Sequence, residues 1–445
     1  MRNTGLLSLG LMAGKVSGAD KRTAMLRPVS KSADFNMSGY AAPPIETVRI
    51  GIIGLGMRGP GAVRRMSFLE GVEIRGLCDL LPERAERARE MLKETSHHPE
   101  LYGGKPYAWK ALCDRDDIDL IYICTPWEWH TPMAVYAMEQ GKHVAVEVPA
   151  ATTLDECWQL VETSERTRRH CMMLENCCYD FFELMTLNMA RQGFFGDLVH
   201  AEGAYIHNLV ELNFKKEGGY QGMWRLKQNF RNGNLYPTHG LGPLCQIMNI
   251  NRGDRMDYLT SMSSDDFTMG KHARELAEND AFFNDFAARN YRGNMNTTTI
   301  RTNRGRTIMV QHDVSSERPY SRIHLVSGTK AMARKYPDPK ISKGHGWYND
   351  EEMRELEERF TPELVKEVGE LAREVGGHGG MDFIMDWRLI YCLRNGLPMD
   401  QDVYDGALWS SISPLSEWSV ANKSTSVDVP DFTRGNWKEN KPVEL

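Results

Sequence analysis

The sequence predicts an α/β protein in two parts: a Rossmann-type doubly wound parallel sheet, followed by an α+β domain with a mostly antiparallel open sheet. The chain has 445 residues, which suits two or three domains of roughly 100 to 200 residues each. From Val48 onward, short apolar runs alternate with helical periodicity, as is typical of βα units. Beyond Asn176, apolar residues alternate at period two, which favours strands with one buried face.

The first domain is expected over residues 47–176. Its strands are the apolar runs, and its helices are the intervening segments with apolar residues at helical spacing. The predicted strands are 48–54, 72–79, 120–125, 143–148 and 171–176. The predicted helices are 58–69, 82–94, 130–140 and 154–167. Sheets of this kind bind ligands at the carboxyl ends of their strands.

The second domain is expected over residues 177–445. A helix at 181–191 precedes the alternating segments, and the charged stretch 351–375 is typical of a solvated helix. The predicted strands are 198–206, 296–301, 307–312 and 323–328, with a hairpin turn at 301–306 and closing helices at 381–393 and 403–420. The open sheet offers a face for association into a homo-oligomer.

The composition excludes several classes of protein. The chain has 54 Lys and Arg, 60 Asp and Glu and a net charge of −6, with no basic cluster of the kind that binds nucleic acid. No apolar run reaches the roughly 18 residues that span a bilayer. Several of the nine cysteines lie in apolar runs, where a thiol behaves as a small buried hydrophobe. We therefore expect a small-molecule substrate, no disulfide framework and no metal.

The first residues resemble part of an export signal. Arg2 precedes an apolar stretch from Gly5 to Gly14, and small residues follow around Ser17 to Ala19. This pattern is similar to the tail of a twin-arginine leader, although the Arg-Arg pair is absent. Residues 1–46 are therefore interpreted as a leader or, alternatively, as a disordered N-terminus. A periplasmic or secreted location is preferred over a cytoplasmic one.

A dinucleotide-binding motif joins the first strand to the first helix. Gly54, Gly56 and Gly59 form a complete G-x-G-x-x-G, which permits a tight turn, the approach of a pyrophosphate and close packing of the helix. Asp79 ends the second strand 20 residues beyond Gly59. A carboxylate there accepts hydrogen bonds from the ribose hydroxyls of NAD and repels a 2′-phosphate. The sequence predicts NAD as cofactor, although Arg58 nearby offers a partner for the phosphate of NADP.

Two further motifs lie at carboxyl ends of strands, in residues 124–130 and 147–149. Trp127 or Trp129 is expected to flank the cofactor or to pack beneath it. The Thr-Pro and Glu-x-Pro pairs resemble the sugar and cyclitol dehydrogenases named for glucose-fructose oxidoreductase and inositol dehydrogenase. That family has a lysine where this chain has Val148. An apolar side chain cannot polarise the reacting carbinol, which disfavours ordinary alcohol dehydrogenation.

Polar and aromatic residues cluster in the second domain. Tyr236 and His239 are three residues apart, so on a helix they share a face, and Arg225 is available to hold hydroxyl or acyl oxygens. Four glycines surround His378 at 376–380, as is typical of a mobile loop that brings a proton donor over a site. The alternative for each histidine is a packed, structural role.

Together these motifs are similar to the NAD-dependent glycosidases of glycoside hydrolase family 109, whose described activity is α-N-acetylgalactosaminidase. The similarity runs from about Val48 to Trp437. The motifs that carry it are Met57-Arg58-Gly59, Pro126-Trp127-Glu128-Trp129-His130, Glu147-Val148, Leu174-Glu175-Asn176, residues 232–240, Arg318-Pro319-Tyr320 and residues 377–382. The NAD contacts implied by the resemblance are Met57, Arg58, Asp79, Trp127, Glu128, Trp129, His130, Glu147, Val148 and Asn176. The implied substrate contacts are Tyr205, Arg225, Tyr236, Pro237, Thr238, His239 and Tyr320.

The resemblance implies a redox route to hydrolysis of a glycan, and no local motif pairs two carboxylates as ordinary glycoside hydrolysis requires. In this hypothesis hydride passes from sugar C3 to tightly bound NAD⁺, the C2 proton becomes acidic, the aglycone leaves by elimination, water adds and hydride returns. His239 is the candidate base for the 3-hydroxyl, and Tyr236 or Tyr179 is the candidate for C2. His378 is the candidate donor to the leaving oxygen. A sugar or cyclitol dehydrogenase and a silent NAD-binding sensor are the alternatives.

Overall fold

A computed structural model describes residues 35–217 and 220–443. Residues 1–34 of the predicted leader lie outside the described residues. Among the described helices, none combines the length and the apolar composition needed to cross a bilayer. The cysteines are free thiols, and all but Cys124 are buried, in keeping with the predicted role of these residues in packing.

The first sheet has six parallel strands, as predicted for a doubly wound domain. The strands are β1 (Val48–Ile53), β2 (Val72–Asp79), β3 (Glu100–Gly103), β4 (Leu120–Ile123), β5 (His143–Val146) and β6 (Cys171–Met173). Their order is β3-β2-β1-β4-β5-β6. From β1 the strands are added toward one edge as far as β3, and from β4 they are added toward the other edge. Folds of this kind leave a crevice for a dinucleotide between β1 and β4, where the order changes.

Helices cover this sheet. They are α1 (Gly59–Ser67), α2 (Pro82–Glu90), α3 (Ala108–Cys113), α4 (Trp127–Glu139) and α5 (Leu154–Thr167). The bounds of α5 are the predicted ones, and a capping box at Thr153 and Glu156 fixes its start. The sequence prediction lacked β3 and α3. Because β3 is a short edge strand with no fully buried residue, it carries no apolar run.

The second sheet has nine strands and is mostly antiparallel, as predicted. The strands are β7 (Leu198–Ile206), β8 (Met256–Ser263), β9 (Asn296–Thr302), β10 (Thr307–Asp313), β11 (Leu325–Gly328), β12 (Met332–Arg334), β13 (Lys340–Lys343), β14 (Gly346–Trp347) and β15 (Val427–Asp428). Their order is β14-β13-β12-β11-β7-β10-β9-β8-β15, and β7 and β10 are the parallel pair. The predicted hairpin turn joins β9 to β10.

The helices of the second part include two that were predicted as one. The α-helices are α6 (Phe181–Arg191), α7 (Val210–Asn213), α8 (Trp224–Gln228), α9 (Thr238–Ile247), α10 (Met269–Asn279), α11 (Asn284–Ala287), α12 (Asp350–Phe360), α13 (Glu363–Val375), α14 (Met381–Asn395) and α15 (Val403–Ala421). Pro362 separates α12 from α13, because proline disfavours a helical residue before it. The prediction of a solvated helix was wrong for one face of α13, where Leu364, Val368 and Ala372 are buried.

Helix α14 returns to the first sheet and brings the glycine-rich loop at 376–380 with it. Asp386 on this helix accepts hydrogen bonds from Arg65 Nε (2.6 Å) and from the Tyr122 hydroxyl (2.9 Å). Both partners belong to the first domain, on α1 and β4. The last part of the chain therefore helps to shape the crevice that the first sheet leaves open.

Candidate functional site

A cavity of about 650 Å³ lies between the carboxyl ends of the parallel strands and the second sheet. One end is lined by residues of the first domain and the other by residues of the second. The first group includes Gly54, Gly56, Met57, Arg58, Asp79, Arg84, Trp127, Trp129, Glu147 and Val148. The second group includes Tyr205, His207, Leu212, Trp224, Arg225, Tyr236, His239 and His378. The structure thus brings most of the predicted cofactor and substrate residues into one cavity.

The glycine-rich turn has the shape that a dinucleotide needs. Gly54 has φ +91, and a Cβ atom there would lie 2.7 Å from the Cys124 carbonyl group. A Cβ on Gly59 would lie 2.0 Å from the Gly54 oxygen. At Gly56 the nearest atom to an added Cβ would belong to the flexible Arg84 side chain, at 3.4 Å. The turn is therefore packed at its outer glycines and open at the middle one, which fits the approach of a pyrophosphate.

Asp79 is held where a ribose-binding carboxylate is expected. Its Oδ2 accepts a hydrogen bond from the Leu55 amide (2.7 Å), and its Oδ1 accepts one from the Leu81 amide (2.9 Å). Arg84 Nη1 lies 3.8 Å from Oδ1. Each carboxylate oxygen keeps a second lone pair for a ribose hydroxyl. The residues present therefore fit the adenosine half of a nicotinamide dinucleotide.

The residues after β4 have different roles from one another. Both ring nitrogens of His130 lie 2.7 Å from backbone oxygens, those of Pro149 and Thr125. Burial lowers the pKa of His130. Its ring thus ties together the loops after β4 and β5. Trp127 is buried and stacks on Tyr236, with ring centres 5.5 Å apart. The predicted contact residue Glu128 is exposed and does not line the cavity.

Asp382, which the sequence analysis did not single out, contacts two predicted cofactor residues, Arg58 and Asn176. Arg58 donates to Glu147 Oε1 (2.7 Å) and to Asp382 Oδ2 (3.2 Å), and Asn176 donates to Asp382 Oδ1 (2.5 Å). Burial by itself would raise the pKa of Asp382, but the hydrogen bond with His378 and the charges of Arg58 and Arg65 lower it. The Arg58 guanidinium is thus held by two carboxylates, which weakens the alternative that it binds a 2′-phosphate.

His378 lies at the mouth of the cavity. Its Nδ1 is 2.9 Å from Asp382 Oδ2, and its side chain is 55% exposed. The surrounding glycines all have positive φ, between +76 and +110. Left-handed backbone of this kind is accessible to glycine at little cost. The hydrogen bond at Nδ1 leaves Nε2 of His378 for a ligand in the cavity.

His239 pairs with Glu175, a second acid that the sequence reasoning quoted without a role. His239 Nδ1 lies 2.7 and 3.0 Å from the two carboxylate oxygens, and its Nε2 lies 3.5 Å from the Tyr236 hydroxyl. Tyr236 precedes α9, so the contact does not arise from a shared helix face as expected. Burial raises the pKa of Tyr236 well above its usual value, although the charge of Arg225 opposes this rise.

Arg225 is buried among aromatic rings. Its Nη1 donates to the Tyr220 hydroxyl (2.6 Å), and its guanidinium carbon lies 4.9 Å from the centre of the Tyr236 ring. Among the residues that the structure describes, no carboxylate forms an ion pair with it. A buried charge without a counter-ion is costly unless a ligand compensates it. The site therefore suits an oxygen that carries, or acquires, negative charge.

Besides Gly59 and Glu128, four predicted site residues lie outside the cavity lining. Tyr179 is fully buried, its hydroxyl donates to Asp400 Oδ2 (3.1 Å), and burial raises its pKa well above the usual value. The alternative that Tyr179 removes the C2 proton therefore has no support in the geometry. Pro237 and Thr238 are buried at the start of α9. Tyr320 is 41% exposed, beside His207 at the rim.

His207 lines the cavity, although the sequence analysis did not single it out. It follows β7, and its Nδ1 lies 3.0 Å from the Tyr205 hydroxyl. Burial and the charges of Arg225, His239 and His378 lower the pKa of His207. A position directly after a strand was the available signal, but the second sheet is mostly antiparallel. In such a sheet the carboxyl ends of most neighbouring strands lie at opposite edges, so the rule used for the first domain holds only for the parallel pair β7 and β10, which the sequence pattern does not reveal.

Glu175, Cys177 and His239 place three possible metal ligands within 4.8 Å of one another. Cys177 Sγ also lies 3.0 Å from Arg322 Nη1. A guanidinium at that distance repels a cation, and the Glu175 carboxylate is already engaged by His239. The prediction of no metal at this site stays a prediction.

Two family models match this chain, one over the residues of the first sheet and one over those of the second. A family model described as "Glycosyl hydrolase 109, C-terminal domain" matches residues 179–439. Another, described as "Oxidoreductase family, NAD-binding Rossmann fold", matches residues 48–175. The chain is 51% identical over 409 residues to an "Alpha-N-acetylgalactosaminidase" of Bacteroides fragilis, covering 90% of this chain and 95% of that one. It is 46% identical over 460 residues to a "Glycosyl hydrolase family 109 protein" of Porphyromonas gingivalis, covering 98% and 96%.

The fold is also that of two solved oxidoreductase structures. An NAD binding oxidoreductase from Klebsiella pneumoniae has a TM-score of 0.66 at 16% identity, over 87% of this chain and 100% of that one. Levoglucosan dehydrogenase in complex with NADH has a TM-score of 0.63 at 17% identity, over 86% and 100%. At these identities the likeness shows the fold alone.

Proposed function

The chain belongs to glycosyl hydrolase family 109, and from that premise we propose that it hydrolyses α-N-acetylgalactosaminides with a tightly bound, recycled NAD⁺. It is a glycoside hydrolase with a nicotinamide-cofactor domain. The observation that carries the proposal is the shared cavity, where His239, Arg225 and His378 face the glycine-rich turn of the Rossmann sheet. The substrate is proposed from the name of the Bacteroides fragilis relative.

The choice of NAD over NADP rests on Asp79. Its buried carboxylate would accept hydrogen bonds from both hydroxyls of the adenosine ribose, and its charge would repel a 2′-phosphate. The glycine-rich turn would hold the pyrophosphate. When bound, the nicotinamide ring supplies a reversible acceptor for hydride.

Replacing Asp79 by asparagine is expected to weaken NAD⁺ binding by about 10-fold and to narrow the preference for NAD⁺ over NADP⁺. The amide keeps the size of the side chain but loses the charge, and hydrogen bonds to charged groups contribute about 1.5 to 3 kcal/mol. The measurement is a titration of the cofactor-free protein with each dinucleotide. Asp119→Asn is the control, because Asp119 pairs with Arg49 just before β4, at the opposite end of the strand from the cavity. An unchanged ratio of the two affinities would contradict the role of Asp79.

Side chains of the cavity would transfer the protons and bind the oxygen that becomes negatively charged. We assign His239 Nε2 to the proton of the 3-hydroxyl and Arg225 to the oxygen that becomes negative. Tyr236 is assigned to the C2 proton, because Tyr179 does not reach the cavity. Since burial raises the pKa of Tyr236, this role requires a proton relay. His378 Nε2 is assigned to the leaving oxygen. General acid–base groups at such positions each contribute about 10²- to 10⁴-fold to a rate.

A substrate deuterated at C2 tests the elimination route. The expected result is loss of deuterium to solvent during turnover, with no net formation of NADH. Retention of the label would exclude elimination, and accumulation of NADH in proportion to substrate would indicate a sugar dehydrogenase instead. Paired α- and β-aryl glycosides of galactose, glucose and their N-acetylamino forms, tested with NAD⁺ present, would establish the sugar and the anomer.

A further inference from the structure

We propose that Glu175 is a positioning residue that fixes His239 with its proton on Nδ1, so that Nε2 faces Tyr236 and the cavity as the proton acceptor. The inference deepens the proposed function and rests on it. None of the residues assigned to binding or catalysis above explains why this histidine presents one particular nitrogen. The contact between Glu175 and His239 does.

The Glu175 carboxylate is itself held rigidly. Its side chain is 0% exposed, and Oε1 accepts a hydrogen bond from the Cys177 amide (3.0 Å). The side-chain amide of Gln401 contacts the backbone of Glu175 on both sides: Nε2 donates to the carbonyl oxygen (2.9 Å), and Oε1 accepts from the amide (3.3 Å). Gln401 is also fully buried. The acid is therefore fixed in both position and direction.

Helix α9 packs closely enough on Glu175 to fix the histidine as well. Gly242 lies three residues after His239 on this helix, so both face the same side. A Cβ on Gly242 would lie 2.8 Å from Glu175 Cγ and 3.0 Å from the Trp409 ring. Because Gly242 has no side chain, α9 can pack close to Glu175. This packing brings His239 Nδ1 within hydrogen-bond distance of the Glu175 carboxylate.

The charge of Glu175 determines which nitrogen of His239 carries the proton. Burial by itself would raise the pKa of Glu175, but the interaction with His239 and the hydrogen bond from the Cys177 amide lower the pKa. Glu175 thus stays ionised and can only accept at this contact. His239 donates through Nδ1, and Nε2 keeps its lone pair toward Tyr236 and the cavity.

The proton transfer that this arrangement serves is the oxidation of the 3-hydroxyl. The O–H bond of the sugar breaks and an N–H bond forms at Nε2. The C3–H electron pair would leave as hydride, for which a bound nicotinamide would be the acceptor, and the O–H pair would become the second bond of the carbonyl. The Glu175 carboxylate then stabilises the imidazolium, as a buried acid does in other histidine-based sites.

Replacing Glu175 by glutamine is expected to lower kcat by about 10²- to 10⁴-fold, the upper figure being the loss seen when the acid that orients a catalytic histidine becomes an amide. The KM for the glycoside and the affinity for NAD⁺ should stay within about 2-fold of wild type, because Glu175 touches neither ligand in the proposal. Glu165→Gln is the matched control. Glu165 is an equally buried glutamate that pairs with Arg434 and Tyr404, away from the cavity.

Two readouts separate positioning from a merely structural role. Nitrogen NMR of ring-labelled histidine, on the protein without substrate, should show the Nδ1–H form of His239 in wild type and its loss in Glu175→Gln. In a His239→Gln background, adding Glu175→Gln should lower kcat by less than about 2-fold, because a residue that acts through His239 has no further effect once His239 is gone. A further large loss, or an unchanged tautomer in Glu175→Gln, would overturn the proposal.

If Glu175→Gln does not fold, Glu175→Asp provides the test. It keeps the charge but moves it away from Nδ1, so kcat should fall about 10-fold with the Nδ1–H form retained, whereas wild-type kcat would overturn the proposal. Failure of the proposed function can be told apart from failure of this inference. If the proposed function is wrong, wild-type protein will release no C2 deuterium, but the NMR result on His239 will still hold.

Discussion

Replacing His239 by glutamine is expected to lower kcat about 10⁴-fold, at the upper end of what a general base contributes. The substitution keeps the size of the side chain but removes the Nε2 lone pair that lies 3.5 Å from the Tyr236 hydroxyl. Hydride cannot leave C3 unless the hydroxyl proton is accepted, so enzyme-bound NADH should fail to appear in a single turnover. The measurements are steady-state hydrolysis of an aryl glycoside and the absorbance of bound NADH.

A second histidine controls for the loss of an imidazole as such. His272 lies on α10, where its ring packs 4.9 Å from Phe214, and it does not line the cavity. His272→Gln should leave hydrolysis and NAD⁺ retention unchanged. If His239→Gln kept a kcat within about 10-fold of wild type, the base for the 3-hydroxyl would have to be another group, and Tyr236 would be the first to test.

The cofactor half of the site was predictable because its determinants are local. Gly54, Gly56 and Gly59 act within one turn, and Asp79 reaches that turn from the neighbouring parallel strand. Short apolar runs likewise identified β1, β2, β4 and β5. The missed elements have weaker patterns: β3 has no fully buried residue, and β8 alternates irregularly between buried and exposed positions.

The contacts that Glu175 and Asp382 make across the site were not predictable, because they join distant parts of the chain, although His378 and Asp382 themselves are only four residues apart. Glu175 and His239 are 64 residues apart, and Arg58 and Asp382 are 324 apart. A single sequence carries no signal for such pairs. Tyr179 shows the converse error. The family resemblance suggested it as a site residue, but the 3₁₀ turn at Asn176–Tyr179 directs its hydroxyl to Asp400, inside the protein.

Replacing His378 by alanine is expected to lower kcat/KM by about 10²- to 10³-fold for glycosides with poor leaving groups. Activated aryl glycosides should lose only a few-fold, because a weakly basic leaving oxygen departs without a proton. The geometry behind this expectation is the hydrogen bond from Nδ1 to Asp382, which leaves Nε2 at the mouth of the cavity. The measurement is a series of substrates that differ only in the basicity of the aglycone.

The chain contains its own matched control for this loop. Gly344-His345-Gly346 is another histidine between glycines, exposed on the turn that joins β13 to β14, and it does not line the cavity. His345→Ala should leave every substrate in the series unaffected. Equal losses across the series in His378→Ala would mean that this histidine closes the cavity or binds the sugar. A loss that grows with the basicity of the leaving group requires proton transfer, since binding alone has no reason to follow that property.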